Sequence, residues 1–365
     1  MSDPTAHLAA HLREEIRRAG FISVAAYMDM IAAGYYARGD VFGVKGDFTT
    51  APEISQAFGE IIGLWCAVTW QQMGKPHPFR LIECGPGRGT LMADLLRAAN
   101  QVPEFTAAAE IHLVERSEAL RAVQKRTLGK GSITPHNIIW HDDFSTTPSG
   151  PCLVICNEFL DALPIRQFQR TAHGWAERVV ELDGGGQFRF GTQPVDNAPI
   201  PIPIAMAAEV GAVFEYSEAV AGFVGAVAQR VVRDGGAALL IDYGHTVSAA
   251  GDTLQAVKQH QYVPVLQNPG SADLTAHVDF AAVKNAGRTH GANVFGPVEQ
   301  GTWLKQLGIG VRQVQLARGK PPEVARTVEE GVRRLTEPHG MGALFKVIAL
   351  THPGLPMLEG FAAGS

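Results

Sequence analysis

Apolar residues recur at helical spacing over residues 5–33, as Leu8, Leu12 and Ile16 and then Val24, Tyr27, Met28 and Ile31, which predicts two opening helices. A glycine-rich stretch from Gly34 to Asp47 follows. A further helix is expected from near Pro52 through Phe58, Ile62, Trp65 and Val68 to Trp70, with proline suited to its first turn. From Phe79 the period changes. Apolar runs of strand length at Phe79–Cys84, Glu110–Glu115, Ile138–Trp140, Cys152–Cys156 and Ala237–Asp242 alternate with helical stretches at Thr90–Ala99, Ser117–Leu128 and Ser217–Arg233. Repeated β-α-β units predict an α/β fold, a mostly parallel sheet with helices on both faces and right-handed crossovers. Two stretches break the alternation. Arg166–Gly191 reads as a hairpin around Asp183-Gly184-Gly185-Gly186, followed by a proline-rich segment to Pro203, and Gly251–Phe280 reads as a polar insertion. Helix Phe280–Arg288, strand Ala292–Phe295, a helical stretch from Thr302 to about Thr336 and a last strand Ala343–Leu350 complete the pattern. The expected organisation is an N-terminal helical segment and lid over 1–75, a core over 76–350 with insertions at about 165–215 and 250–280, and a tail over 351–365.

Composition narrows the class. Of 365 residues, 46% are hydrophobic, ample for a sizeable core, and 18% are charged, which argues against disorder. The net charge of −5 means that nucleic-acid binding would need a local basic patch, and none with interleaved aromatics is found. Four cysteines exclude a disulfide scaffold. No run reaches the ~18 apolar residues of a membrane span. Asp3, Glu14 and Glu15, without an apolar stretch, argue against a signal or transit peptide. The expectation is a soluble, cytoplasmic bacterial protein, and a homodimer is compatible with it.

The most informative segment is Glu83-Cys84-Gly85-Pro86-Gly87-Arg88-Gly89-Thr90, in which a strand ends in an acid and enters a helix through alternating glycines. Glycines let the backbone turn sharply and approach a ligand. The spacing is G-x-G-x-G; a dinucleotide fingerprint needs G-x-G-x-x-G, and a phosphate loop needs Gly-Lys-Ser/Thr. An acid before the first glycine repels a pyrophosphate but accepts hydrogen bonds from an ammonium, as S-adenosylmethionine carries; a turn without a ligand is the competing reading. Glu115 ends the next strand, where a carboxylate can accept the ribose hydroxyls. After the third strand, Asp143 is placed for the adenine amino group and Phe144 for its ring. Asn157, Glu158 and Asp161 follow the fourth strand, at the crevice where ligands of open α/β sheets bind, with helix capping as the alternative. His277 and Asp279 have metal-ligand spacing but no third ligand, so no metal is expected.

These residues carry a resemblance. Gly34-Tyr35-Tyr36, Gly46-Asp47-Phe48 with Thr50 to Glu53, Ser55 to Glu60, Glu83 to Leu91, Asn157-Glu158 with Asp161 and Pro164, Asp242-Tyr243-Gly244, Leu274 to Phe280 and Met341 to Val347 together resemble the MidA family of S-adenosylmethionine-dependent methyltransferases. Cys84 and Thr49 stand where the family usually has aliphatic residues. The resemblance implies a Rossmann-like class I methyltransferase core with added N-terminal helices and insertions. For the mitochondrial branch, complex I assembly factors, it implies arginine dimethylation of a core complex I subunit. The expected protein is thus a methyltransferase acting on a protein side-chain nitrogen, most simply arginine, with a complex I subunit as candidate partner. A non-catalytic cofactor-binding chaperone and a small-molecule methyltransferase are the alternatives. Guanidinium is a poor nucleophile because its charge is delocalised, so a site must orient it between carboxylates. Glu158 and Asp161 are the expected pair, with Glu53 of the lid as a third.

Overall fold

The computed structural model describes residues 4–36, 49–129, 138–259 and 261–361. It divides the chain into two units. One comprises Met1–Phe48, Asp161–Gly222 and Val247–His277; the other comprises Thr49–Leu160, Phe223–Thr246 and Val278–Ser365.

The second unit holds the sheet that the sequence pattern predicts. Its main strands, numbered along the chain, are β1 (Phe79–Cys84), β2 (Ala109–Val114), β3 (Ile138–His141), β4 (Cys152–Asn157), β5 (Gly236–His245), β6 (Asn293–Glu299) and β7 (Phe345–Thr351). Their spatial order is 3-2-1-4-5-7-6. Strands β3 to β5 run parallel to their neighbours in that order, and β7 is antiparallel to both β5 and β6. The order reverses between β1 and β4, which places the ligand crevice of an open α/β sheet beyond the ends of those two strands. Strands β4 and β5 are buried along nearly their whole length, as strands with helices on both faces must be.

The core of this unit gathers around helix Gln56–Gln72, where Trp65 and Trp70 are buried as read from the sequence. Trp70 meets Phe79 and Phe105 at ring-centroid distances of 6.1 and 5.8 Å. The helix expected from Pro52 is in fact two. Ser55 adopts an extended conformation (φ −155°, ψ 127°) between helix Ala51–Ile54 and helix Gln56–Gln72, and its hydroxyl accepts from Ala57 N. A serine that caps the next helix outweighs the uninterrupted apolar pattern. The stretch Thr302–Thr336 is likewise three helices, Gln300–Gln306, Ile309–Ala317 and Pro322–Thr336, parted at Gly308 (φ +85°) and before Pro322.

The first unit joins pieces that lie apart in the sequence. Helices Pro4–Ala19 and Val24–Tyr36 contribute Leu12, Ile16, Tyr27 and Ile31 to an apolar cluster with Ile165, Val180, Ala256 and Leu274. The expected hairpin over 166–191 is a meander of three antiparallel strands, Arg166–Thr171, Gly174–Leu182 and Phe188–Pro194. The strand Val213–Tyr216 pairs with the first of these. The polar insertion folds into a small antiparallel sheet of Gln255–Lys258, Gln261–Val263 and Asp273–Thr275. Among the described residues no helix is long and apolar enough to cross a membrane.

Candidate cofactor and active site

Strand β1 delivers Glu83, 3% exposed, to the crevice. Burial penalises its charged form and pushes its pKa up to about 8. The loop beyond turns through Gly85, Gly87 and Gly89, with φ of +65°, +51° and +79°. At Gly87 an added Cβ would meet no atom of the described residues within 4 Å, so among them the backbone there borders open space. Gly85 is different, because a Cβ would come within 2.8 Å of the Phe159 ring. Helix Thr90–Ala99 starts directly after the loop, and no side chain caps it at Gly89. Glu53 stands at this end of the helix, accepting from the Thr90 hydroxyl at 2.5 Å, where a carboxylate favours the positive helix terminus.

At the end of β2, Glu115 is half-buried, and burial raises its pKa against the opposing hydrogen bonds. Its Oε1 accepts from Ser117 N (2.8 Å) and its Oε2 from Gln124 Nε2 (3.3 Å). Asp143 is exposed and starts a short 3-10 turn, accepting from Ser145 N at 2.8 Å; the Ser145 hydroxyl and N–H hold its carboxyl below the ordinary range. Phe144 is buried, edge-on to Phe223 at 5.7 Å and beneath the Arg230 guanidinium at 5.3 Å. These two therefore spend part of their bonding and packing capacity on the protein itself.

Strand β4 pairs with β1 in the register Cys84↔Cys156, so Asn157 emerges beside the glycine loop, across the crevice from Glu83. Glu158 then adopts φ +52°, a left-handed conformation that costs a residue with a Cβ about 1 kcal/mol. Strand β5 holds it there. Glu158 N donates to Ile241 O (2.9 Å), and the next two N–H groups, of Phe159 and Leu160, donate to Asp242 Oδ2 at 3.1 and 2.8 Å. Asp242 is fully buried. The Glu158 side chain accepts from Ala51 N (2.8 Å) and Asn157 Nδ2 (3.1 Å), so it does cap the helix Ala51–Ile54, and that helix carries Glu53.

Within the sheet unit the structure thus brings together Glu53, Glu83, the three glycines, Glu115, Asn157 and Glu158. Asp161 falls in the other unit, where it is buried and its carbonyl accepts from Ala276 N. Gly46-Asp47-Phe48 lies outside the described residues. Asp279 caps helix Phe280–Thr289 through Ala281 and Ala282 N–H groups. Tyr243 stacks on Phe345 in the sheet at 5.4 Å. Two residues that fasten this region are not marked as such by the sequence: Asp242 reads as a strand terminus within the motif Asp242-Tyr243-Gly244, and Gln124 carries no local signal.

The donor set can be compared with the cofactor the glycine loop suggests. Glu83 Oε2 and Asn157 Oδ1 are buried acceptors with no hydrogen-bond donor among the described residues. An ammonium supplies such donors, and buried acceptors left without them are costly. The acid before the loop and the open space over Gly87 suit a ligand with a cationic end and no phosphate. Fold and site define an S-adenosylmethionine-dependent methyltransferase.

Comparison with known proteins agrees. Residues 61–298 match the model of a family described as a putative S-adenosyl-L-methionine-dependent methyltransferase. The chain is 38% identical to the mitochondrial protein arginine methyltransferase NDUFAF7 homolog of Drosophila melanogaster, over 95% of this chain and 85% of that protein. It is 35% identical to the NDUFAF7 protein arginine methyltransferase of Homo sapiens, over 95% and 84%. It superposes with a TM-score of 0.87 and 32% identity on a methyl transferase candidate from Burkholderia thailandensis bound to S-adenosyl-homocysteine, covering 99% of this chain and 96% of that one. The chain belongs to the MidA family of S-adenosylmethionine-dependent methyltransferases.

Proposed function

We propose that this enzyme methylates the guanidinium of a protein arginine, with a core subunit of respiratory complex I as its client. The observation that carries the reading is Glu158, a carboxylate fixed at the end of β4 in a strained conformation by hydrogen bonds from the turn to β5. Strain of this kind persists where the surroundings over-determine it, and it collects at functional sites. Similarity to the protein arginine methyltransferases of Drosophila melanogaster and Homo sapiens supports the same acceptor class. The family resemblance supports the complex I client.

In this reading Glu83 and Asn157 take the amino-acid end of the cofactor, and the backbone of Gly85, Gly87 and Gly89 lies along it. Glu115 takes the ribose hydroxyls, and Asp143 and Phe144 the adenine. When bound, the cofactor would supply its sulfonium methyl group to the guanidinium nitrogen: the N–C bond would form as the C–S bond breaks with its electron pair going to sulfur, and the nitrogen's proton would pass to solvent. Glu158 orients the acceptor through its charge, and the bonds from Ala51 and Asn157 hold its carboxylate in place. Glu53 is the second carboxylate. Asp161, three positions further along the chain, is the remaining carboxylate of this reading, and Asp161→Asn should keep cofactor affinity while lowering methyl transfer.

The experiment incubates the purified enzyme with S-adenosylmethionine and the complex I subunit, reading S-adenosylhomocysteine release and methylarginine by mass spectrometry. Glu158→Gln keeps the shape and the Ala51 bond while removing the charge. We expect unchanged cofactor affinity and a methyl-transfer rate lower by about 30- to 1000-fold. A client whose arginine is replaced by lysine should be a poor acceptor. Wild-type transfer by Glu158→Gln would reduce Glu158 to a helix cap, and transfer to the lysine client would remove arginine from the reading.

A further inference from the structure

Gln124 lies on the helix Glu118–Leu128 and is fully buried. Its side-chain amide joins three segments of the cofactor half. Oε1 accepts from Trp140 Nε1 at 2.8 Å, while Nε2 donates to Gly87 O at 2.8 Å and to Glu115 Oε2 at 3.3 Å. An indole N–H can only donate, so Trp140 fixes which end of the amide carries oxygen. The two hydrogens on Nε2 then face two acceptors: the carbonyl in the middle of the glycine loop and the acid that follows β2. Glu115 has its other oxygen on Ser117 N, so with Gln124 in place both carboxylate oxygens are anchored and the plane of the group is set. A buried network with its partners in place is rigid, and losing its central member strands several polar groups at once.

We propose that Gln124 is a positioning residue that locks the glycine loop and Glu115 into one cradle, and so sets how strongly the enzyme reads the ribose hydroxyls of its cofactor. The inference rests on the placement of the ribose at Glu115 proposed above. Without the amide, Glu115 is held only by the backbone N–H groups of Ser117 and Arg116, so the plane of its carboxylate is less fixed and a pair of hydroxyls no longer meets two prealigned oxygens. A residue with a packing role alone would weaken every ligand alike. A residue that aligns Glu115 weakens most the ligand that carries both hydroxyls.

Calorimetry with S-adenosylhomocysteine and its 2′-deoxyribose analogue distinguishes these cases, applied to the wild type, Gln124→Leu, Trp140→Phe and Glu115→Ala. The wild type should prefer the parent ligand by about tenfold or more, the scale of one charge-assisted hydrogen bond. Gln124→Leu should bind S-adenosylhomocysteine about 10- to 100-fold more weakly, with the preference over the deoxy analogue reduced to less than about threefold. Trp140→Phe, which leaves the glutamine but frees its orientation, should fall between. A Gln124→Leu protein that keeps the wild-type preference, or that loses both ligands equally, overturns the proposal. If Gln124→Leu fails to fold, an unchanged preference in Trp140→Phe overturns it. Glu115→Ala separates the two layers. Should it keep the wild-type preference, the ribose placement itself is wrong and the role of Gln124 falls with it. Should Glu115→Ala abolish the preference while Gln124→Leu retains it, only the role of Gln124 is lost.

Discussion

The loop after β1 and the turn after β4 leave adjacent strands of one sheet, and both need left-handed backbone, yet they reach it by opposite means. The first uses Gly85, Gly87 and Gly89, for which positive φ carries no Cβ penalty, and it is tied by the neutral amide of Gln124. The second uses Glu158, which pays for the same conformation, and it is tied by the carboxylate of Asp242 on two successive N–H groups. The difference follows the side chains. Gly87 leaves bare backbone beside open space among the described residues, and Gly85 lets the loop pass against the Phe159 ring. Glu158 carries a carboxylate that caps the helix Ala51–Ile54, a bond glycine could not make, and its strain is held by neighbours.

Three measurements sharpen or break this contrast. The largest effect is expected from Gly87→Val. A Cβ at Gly87 meets no atom of the described residues within 4 Å, so a loss of binding would come from the ligand and from backbone strain rather than from a packed core. Affinity for S-adenosylhomocysteine should fall beyond about 1000-fold, because a β-branched residue also resists positive φ. Undiminished affinity by calorimetry would put the ligand elsewhere.

Next comes Asp242→Ala. It leaves the Phe159 and Leu160 N–H groups unsatisfied in the interior, a cost of about 2–4 kcal/mol in denaturant stability. Glu158 is released at the same time, so methyl transfer should fall by about 100-fold. Asp242→Asn retains an acceptor oxygen and should lose much less on both counts. If Asp242→Ala unfolds no more easily than the wild type, the turn is not held by this carboxylate and the contrast collapses.

The smallest effect is a pH dependence on the cofactor side. Burial raises Glu83 to about 8, so the free enzyme carries it protonated at neutral pH. A raised carboxyl pKa contributes stability that is complete below the unfolded value and is lost as pH climbs through 8. Binding a cationic ammonium favours the charged form. Affinity for S-adenosylhomocysteine should therefore rise by about tenfold in all as pH increases from 6 to 8 and then level off. Glu83→Gln should remove the rise, and a flat wild-type profile would show that Glu83 does not face the ammonium.

What the sequence made legible divides along the same line. The core strands and the helices between them were readable because each announces itself within a dozen residues by period and by terminal glycine or acid. Ser55 and Gly308 broke helices where the apolar spacing ran on, since a local cap competes with pattern and wins. The meander at 166–194 hid a turn at Ala172-His173 that contains no turn dipeptide. At the candidate site, chain position alone suggests Glu83, Gly87 and Glu115. It gives no role to Asp242 or Gln124, because what defines them is their partners. Asp242 binds N–H groups 82 and 83 positions away, and Gln124 bonds to Gly87, 37 positions away. No window along the chain contains both ends of those bonds.

The order 3-2-1-4-5-7-6 also has a meaning in time, as the chain leaves the ribosome. Strand β7, the last to be made, takes the place between β5 and β6. Until Phe345–Thr351 emerges, β5 is an open edge on that side and β6 has no neighbour in the sheet to pair with. The glycine loop, Glu115 and Asn157 are all synthesised long before this, on a sheet whose far half is still unpaired. An exposed edge beside a finished cofactor crevice is a hazard for a nascent chain, which invites pairing with other strands in the cell. The arrival of β7 between β5 and β6, rather than the making of the glycine loop and its neighbours, gives the first state in which those facing edges are covered.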